Sequence, residues 1–139
     1  MKKNFVTLFT LVSLFLASSA LIAGETVTEG SLEGAFSSWG KSSLSGDWKI
    51  VEADGKHYIE LADNFQAKKG PDVKIFLSPL EATAIDGNNA ANGSVFIKLI
   101  SDFKGKRRIE IPEGIDVSQF NTLVFHCEEY SKLWGVSPL

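Results

Sequence analysis

Cysteine is nearly absent from this sequence, which contains one, Cys127, among 139 residues. A single cysteine excludes an intrachain disulfide, a CxxC dithiol and a CxxCH haem-attachment motif. Histidine occurs only twice, and no group of Cys and His has metal-ligand spacing, so no metal site is predicted. The lone thiol is therefore either buried and inert, paired between chains, or functional.

Common catalytic motifs are missing as well. The sequence has no GxSxG, no HExxH and no phosphate-binding glycine loop. The turn-rich loop from Ile85 to Gly93 is too poor in acids to resemble a calcium loop. Because no nucleophile and base can be paired, the sequence predicts a protein that is not an enzyme by itself.

Positive charge is scarce, since 14 Lys and Arg stand against 17 Asp and Glu for a net charge of −3. Phosphate-backbone binding depends on clustered basic residues, so no nucleic-acid partner is predicted. One local basic run extends from Lys104 to Arg108. We interpret it as a solvated hairpin turn, with an anion site as the alternative.

The N-terminus has the pattern of a secretory signal peptide. Lys2 and Lys3 precede an apolar run from Phe5 to Leu16, and small residues follow as far as Ala20. Residues 1–24 are therefore predicted to be a signal peptide cleaved after Ala20 or Gly24, with an uncleaved anchor as the alternative. Cleavage removes two lysines and no acid, which leaves a mature charge of −5 and no membrane span. The predicted location is secreted, periplasmic or in the cell envelope.

Residues 25–139 are predicted to form one all-β domain, an antiparallel β-sandwich or barrel-like fold of about seven or eight short strands. No long apolar period of 3.6 residues occurs after the signal, and Gly, Pro, Asn and Asp separate short β-prone segments. Ala53-Asp54-Gly55 predicts a hairpin turn. A helical turn is predicted near Val117, and Tyr130–Leu139 is predicted to be irregular. The predicted strands are Leu32–Phe36, Ser45–Glu52, Lys56–Leu61, Val73–Leu77, Ser94–Ile100, Arg107–Ile111 and Thr122–Glu129.

The last predicted strand fixes the face on which Cys127 lies. Successive side chains of a strand point to opposite faces. Cys127 therefore shares the apolar face of Leu123 and Phe125, which favours a buried structural thiol. His126 points the other way, is predicted to be a surface or edge histidine, and cannot activate Cys127 directly.

Other strands offer candidate partners. His57 or Arg107 can approach Cys127 only through the fold. The tryptophans Trp39, Trp48 and Trp134 are predicted to pack in the core or at its rim, with an aromatic platform for a sugar or porphyrin as the alternative.

Several segments in order resemble a known family. Gly70-Pro71-Asp72 leads into the strand Val73–Leu77, and the segment from Gly105 to Pro112 ends a further strand on proline. The chain then closes on a strand with a single cysteine and on Leu133-Trp134-Gly135. Together these segments, over residues 30–139, resemble the DM-thirteen domain family, often labelled an electron-transfer domain.

The resemblance implies a β-sandwich-like extracytoplasmic domain whose cysteine acts in redox or electron transfer. Cys127 is then the redox candidate, and its candidate neighbours or ligand-binding residues are His126, His57, Trp134 and Asp72. A protein redox partner is implied but not identified. Haem or another redox cofactor is conceivable, although no attachment motif is present.

Two further hypotheses remain open. The chain is alternatively a non-enzymatic binding module of the envelope or cell surface, which holds a glycan, a small ligand or a protein and keeps Cys127 as a core residue. A disulfide-linked dimer through Cys127 is the third hypothesis.

Overall fold

The structure is a computed structural model that describes residues 24–37 and 40–139. The predicted signal peptide, apart from Gly24, and the predicted platform residue Trp39 lie outside these residues. Eight of the described strands have four or more residues, and five short ones have two. In chain order the strands are β1 (Glu25–Ser31), β2 (Glu33–Gly34), β3 (Phe36–Ser37), β4 (Gly40–Lys41), β5 (Leu44–Ser45), β6 (Asp47–Ala53), β7 (Lys56–Leu61), β8 (Gln66–Ala67), β9 (Val73–Ser78), β10 (Val95–Leu99), β11 (Arg107–Glu110), β12 (Thr122–Cys127) and β13 (Lys132–Pro138).

The eight longer strands and the short β2 form two antiparallel sheets that face each other, which confirms the predicted all-β sandwich. One sheet has the order β1-β6-β7-β11 and the other the order β10-β9-β12-β13-β2. Within the described residues the sheets do not close into a barrel. Side chains from both sheets share the main core, for example Ile50 and Ile59 from the first and Ile75, Leu123 and Phe125 from the second. Short 3-10 helices at Ala82–Ala84 and Val117–Gln119 connect strands, the latter as predicted.

The β6–β7 hairpin forms where the sequence predicts it. Asp54 and Gly55 have φ angles of 53° and 74°, the left-handed conformation that a tight two-residue hairpin turn needs. Ala53 pairs with Lys56 across the turn, and the register continues to Trp48 opposite Leu61. The turn therefore sets which side chains of both strands enter the core.

Two strands were not predicted in full. The polar segment Glu25–Ser31 pairs with β6, and the C-terminal segment Lys132–Pro138 pairs with β12. The prediction that Tyr130–Leu139 is irregular was therefore wrong. Both segments lack a clean apolar alternation, and they extend because a neighbouring strand supplies their hydrogen bonds.

The basic run from Lys104 to Arg108 does not form the predicted hairpin. β10 and β11 belong to different sheets, so the chain between them crosses from one sheet to the other. Lys104 forms an isolated bridge with Gln66, and Arg107 makes an ion pair with Asp102 at 3.1 Å. The side chain of Arg107 thus pairs with Asp102, and its backbone pairs with Leu61 on β7.

Strand β12 is covered on both faces. One face contributes to the main core, and the other contributes Val124 to a smaller cluster with Phe76, Ile85 and Ala90. The loop from Pro79 to Ser94 supplies part of this second layer. All six residues of β12 are consequently buried.

Candidate functional site

Cys127 is the last residue of β12 and is completely buried, with 0% of its surface exposed. It belongs to the main core together with Phe125, as the alternation of the strand predicts. Its cross-strand partners are Val73 on β9 and Lys132 on β13. Directly opposed residues of antiparallel strands share a face, so these two side chains flank the thiol.

Asp72 fastens the turn that follows Cys127. Its carboxylate accepts a hydrogen bond from the Glu129 backbone N–H at 3.0 Å, and its backbone carbonyl accepts one from Glu128 N–H at 3.4 Å. Lys74 adds ion pairs to Asp72 at 3.3 Å and to Glu128 at 3.5 Å. Asp72, predicted from the Gly-Pro-Asp segment, therefore lies next to the Cys127 region and holds its turn.

The charges around this turn reinforce one another. Burial lowers the pKa of Lys74, but its hydrogen bond to Asp72 and the negative charges of Glu128 and Asp72 outweigh burial, so the pKa is raised. Lys74 thus stays protonated and can bridge the two carboxylates at neutral pH.

Trp134 lies in the same core as Cys127. Its indole Nε1 donates to the Lys68 carbonyl at 3.0 Å, and the Lys132 Nζ lies 5.2 Å from its ring centroid. A Cβ added to Gly70 would come 3.0 Å from the Trp134 ring and 2.8 Å from a Val73 methyl. Gly70 of the Gly-Pro-Asp segment therefore leaves room for the Trp134 ring. Asp72 of the same segment holds the turn after Cys127.

His126 lies on the opposite face of β12 and is only 3% exposed. The prediction of a surface or edge histidine was therefore wrong, because the second layer covers this face. Its ring packs against Phe76 with centroids 6.3 Å apart, and its Nδ1 is buried with no hydrogen-bond partner among residues 24–37 and 40–139. Burial is the largest influence on the pKa of His126 and lowers it. The negative charges of Glu128 and Asp72 and a backbone hydrogen bond at Lys132 raise this pKa, while the positive charge of Lys74 lowers it. The net result is a lowered pKa.

This lowered pKa predicts a specific pH dependence of stability. The unfolded chain binds a proton at His126 near pH 6.5 and the folded chain resists it, so the free energy of unfolding should fall as the pH drops below about 6.5. Urea unfolding at about pH 7.5 and pH 5 measures this effect. His126→Gln should flatten the profile, and an unchanged slope in this variant would contradict the assignment.

His57 and Cys127 lie in different sheets. His57 lies on β7 in the four-stranded sheet, is partly exposed, and has its Nε2 3.8 Å from the carboxylate of Glu52 on β6. Cys127 lies in the five-stranded sheet. Among the predicted neighbours, Asp72 and Trp134 therefore lie in the Cys127 region, His126 is adjacent on the other face of β12, and His57 lies on the other sheet beside Glu52.

The predicted candidates do not fit a haem. An axial ligand needs a side chain aimed into an open space. Cys127 and His126 are 0% and 3% exposed, so neither side chain is aimed into an open space, and His57 lies beside a carboxylate. Within residues 24–37 and 40–139, no group of three or more His, Cys, Asp or Glu side chains is arranged to hold a metal ion.

Sequence reasoning missed an aromatic cleft on the surface. The cleft has a volume of about 750 Å³, and Phe36, Tyr130 and Trp134 line it together with the loop around Asn88. Phe36 is 82% exposed and Tyr130 is 66% exposed. These three residues are distant in the chain, and of the three only Trp134 is a platform candidate in the sequence analysis. Trp48 is instead buried in the core, where its Nε1 donates to Ser137 Oγ at 2.9 Å.

No helix in the described part of the chain has both the length and the apolar character that a membrane crossing requires.

Comparison with known proteins supports the resemblance seen in the sequence. A model of the family described as "Electron transfer DM13" matches residues 35–139, which include every strand from β3 to β13. Neither a curated protein nor a solved structure matches the chain. The family description supports a redox-related role. The chain therefore belongs to the electron transfer DM13 family.

Proposed function

We propose that the chain is an exported, redox-related accessory domain in which Cys127 is the working group. The observation that supports this proposal is the position of the single thiol at the end of β12, directly before the turn that Asp72 stabilises by hydrogen bonds. The family description supports the redox element, and the signal-like N-terminus supports export.

The reaction that suits a single cysteine is thiol–disulfide exchange with a partner protein. The Cys127 thiolate attacks one sulfur of a partner disulfide, the S–S bond breaks, a mixed disulfide forms, and the departing thiolate takes a proton. A thiol from a second molecule then displaces Cys127. The incoming thiol thereby enters a disulfide, one sulfur of the original disulfide has left as a thiol, and Cys127 is regenerated as a thiolate.

Access controls this reaction. Exchange requires the attacking sulfur to reach its target, and Cys127 is fully buried in the folded domain. The reactive form is therefore one in which the turn from Glu128 to Ser131 has opened. Asp72 sets the cost of opening, because it holds this turn through two backbone hydrogen bonds and bridges to Lys74.

Alkylation of the thiol tests the proposal. In the native domain, Cys127 should react with iodoacetamide about a thousandfold more slowly than in denaturant. Asp72→Ala should raise the native rate by about tenfold, because a lost turn hydrogen bond and ion pair reduce the free energy of opening. The rate should depend only weakly on urea, as local opening exposes little surface.

Asp116→Ala is the matched control. Asp116 caps the 3-10 helix Val117–Gln119 with hydrogen bonds from Ser118 N at 3.0 Å and Ser118 Oγ at 2.7 Å. Its loss should leave the local opening at Cys127 unchanged. If Cys127 is alkylated at the same rate in Asp72→Ala and Asp116→Ala, and this rate equals the rate expected from global unfolding alone, Cys127 is a core residue and the exchange mechanism fails.

Export has its own measurement. N-terminal sequencing of protein recovered from outside the cytoplasm should find a chain that starts after Ala20 or Gly24. A chain that retains Met1 and stays in the cytoplasm contradicts export but leaves the thiol chemistry unaffected.

The second candidate function is a non-enzymatic binding module of the envelope or cell surface. The exposed aromatic side chains of the cleft favour it, since monomeric domains rarely leave large apolar side chains clustered in solvent. In this function Cys127 serves only as packing in the core.

A further inference from the structure

The aromatic cleft has the size and the walls of a ligand site. Its volume of about 750 Å³ lies within the range of about 300–1,000 Å³ typical of small-molecule pockets. Phe36, Tyr130 and Trp134 all line it; the first two are exposed, and Trp134 is buried and also belongs to the main core. Three aromatic rings from separate parts of the chain thus meet at one surface.

Lys132 and Asp86 are the charged residues among those that line the cleft, and Lys41 lies beside Phe36 at its edge. The Lys41 Nζ lies 5.5 Å from the Phe36 ring centroid, and the Lys132 Nζ lies 5.2 Å from that of Trp134. The Asp86 carboxylate accepts hydrogen bonds from Asn88 N–H at 2.7 Å and from the N–H of the next residue at 3.1 Å. The carboxylate is thus engaged within its own loop, while both ammonium groups lie over aromatic rings.

We propose that this cleft binds an acidic oligosaccharide, one that carries uronic acid residues. The apolar faces of sugar rings stack on Phe36 and Tyr130, and the carboxylates pair with Lys41 and Lys132. The Asn88 amide is a donor and acceptor for sugar hydroxyls at the same wall. This site specifies the ligand of the second candidate function and does not depend on Cys127.

Titration calorimetry with an oligogalacturonate of about six units tests the proposal at low ionic strength. Phe36→Ala and Tyr130→Ala should each weaken binding about tenfold, since both rings are exposed and their loss leaves the core intact. Lys132→Gln should weaken binding and reduce its dependence on salt. Phe96→Ala is the matched control, because Phe96 is 50% exposed but lies on β10 and packs against Phe76.

Several outcomes would overturn the site. Binding of a neutral xylo-oligosaccharide of equal length with the same affinity removes the role of the two lysines. Absence of uronate binding, or equal loss in Phe96→Ala, removes the cleft as a sugar site. Concentration-dependent dimerisation that Phe36→Ala abolishes assigns the cleft to self-association. Cys127→Ser should bind as the native chain does, so a failure here and a failure of the thiol proposal are distinguishable.

Discussion

Replacing Gly46 by alanine should lower the free energy of unfolding by about 3 kcal/mol or more. Gly46 has a φ angle of +118°, and an added Cβ would lie 2.5 Å from Phe65 Cα and 2.8 Å from Asn64 O. These are backbone atoms, which cannot rotate away from the methyl group. Gly46 O also accepts the Leu32 N–H at 2.8 Å, so its peptide is held in place.

Gly55→Ala separates the steric contact from the backbone preference. Gly55 also has a positive φ angle, +74°, but a Cβ there meets no atom of the described part of the chain within 4 Å. Its replacement should cost only about 1 kcal/mol. Urea unfolding of both variants gives the comparison, and equal losses would show that the close approach to Phe65 does not determine the stability at Gly46.

Phe125→Ala should destabilise the domain by about 3–5 kcal/mol. Phe125 is fully buried, and its ring lies 6.0 Å from that of Phe65, which belongs to the same core. Truncation removes this packing and leaves a cavity that the two sheets cannot close without shifting. The loss is a large part of the total stability expected for a domain of this size.

Phe96→Ala is the comparison for the same chemical change at an exposed position. Its ring is half exposed on an edge strand, so the loss should remain within about 1 kcal/mol. Thermal or urea unfolding measures both variants. Similar losses at the two positions would contradict the assignment of Phe125 to the centre of the core.

The alkylation rate of Cys127 connects these variants to the proposed function. Phe125→Ala lowers the global free energy of unfolding, so its effect on the thiol should vary steeply with urea. Asp72→Ala acts on the turn after Cys127, so its effect should vary weakly with urea. The two patterns distinguish a thiol that reacts only in the unfolded chain from one that a local opening exposes.

The sequence by itself determined the features that depend on neighbouring residues. Ala53-Asp54-Gly55 specifies the β6–β7 hairpin because few residues adopt the left-handed turn that it needs. The alternation along β12 placed Cys127 on the core side because successive side chains of a strand point to opposite faces. The ordered segments over residues 30–139 indicated the family, which the family model over residues 35–139 confirms.

Only the tertiary structure decided what lies around those features. Lys132–Pro138 becomes a strand because β12 supplies its hydrogen bonds, and His126 is buried because a second layer covers β12. Phe36 and Tyr130 meet across a cleft although almost a hundred positions separate them in the chain. Such contacts arise from long-range strand pairing, which leaves no local periodicity in the sequence. The burial of the Cys127 thiol depends on these contacts, so only the tertiary structure shows it.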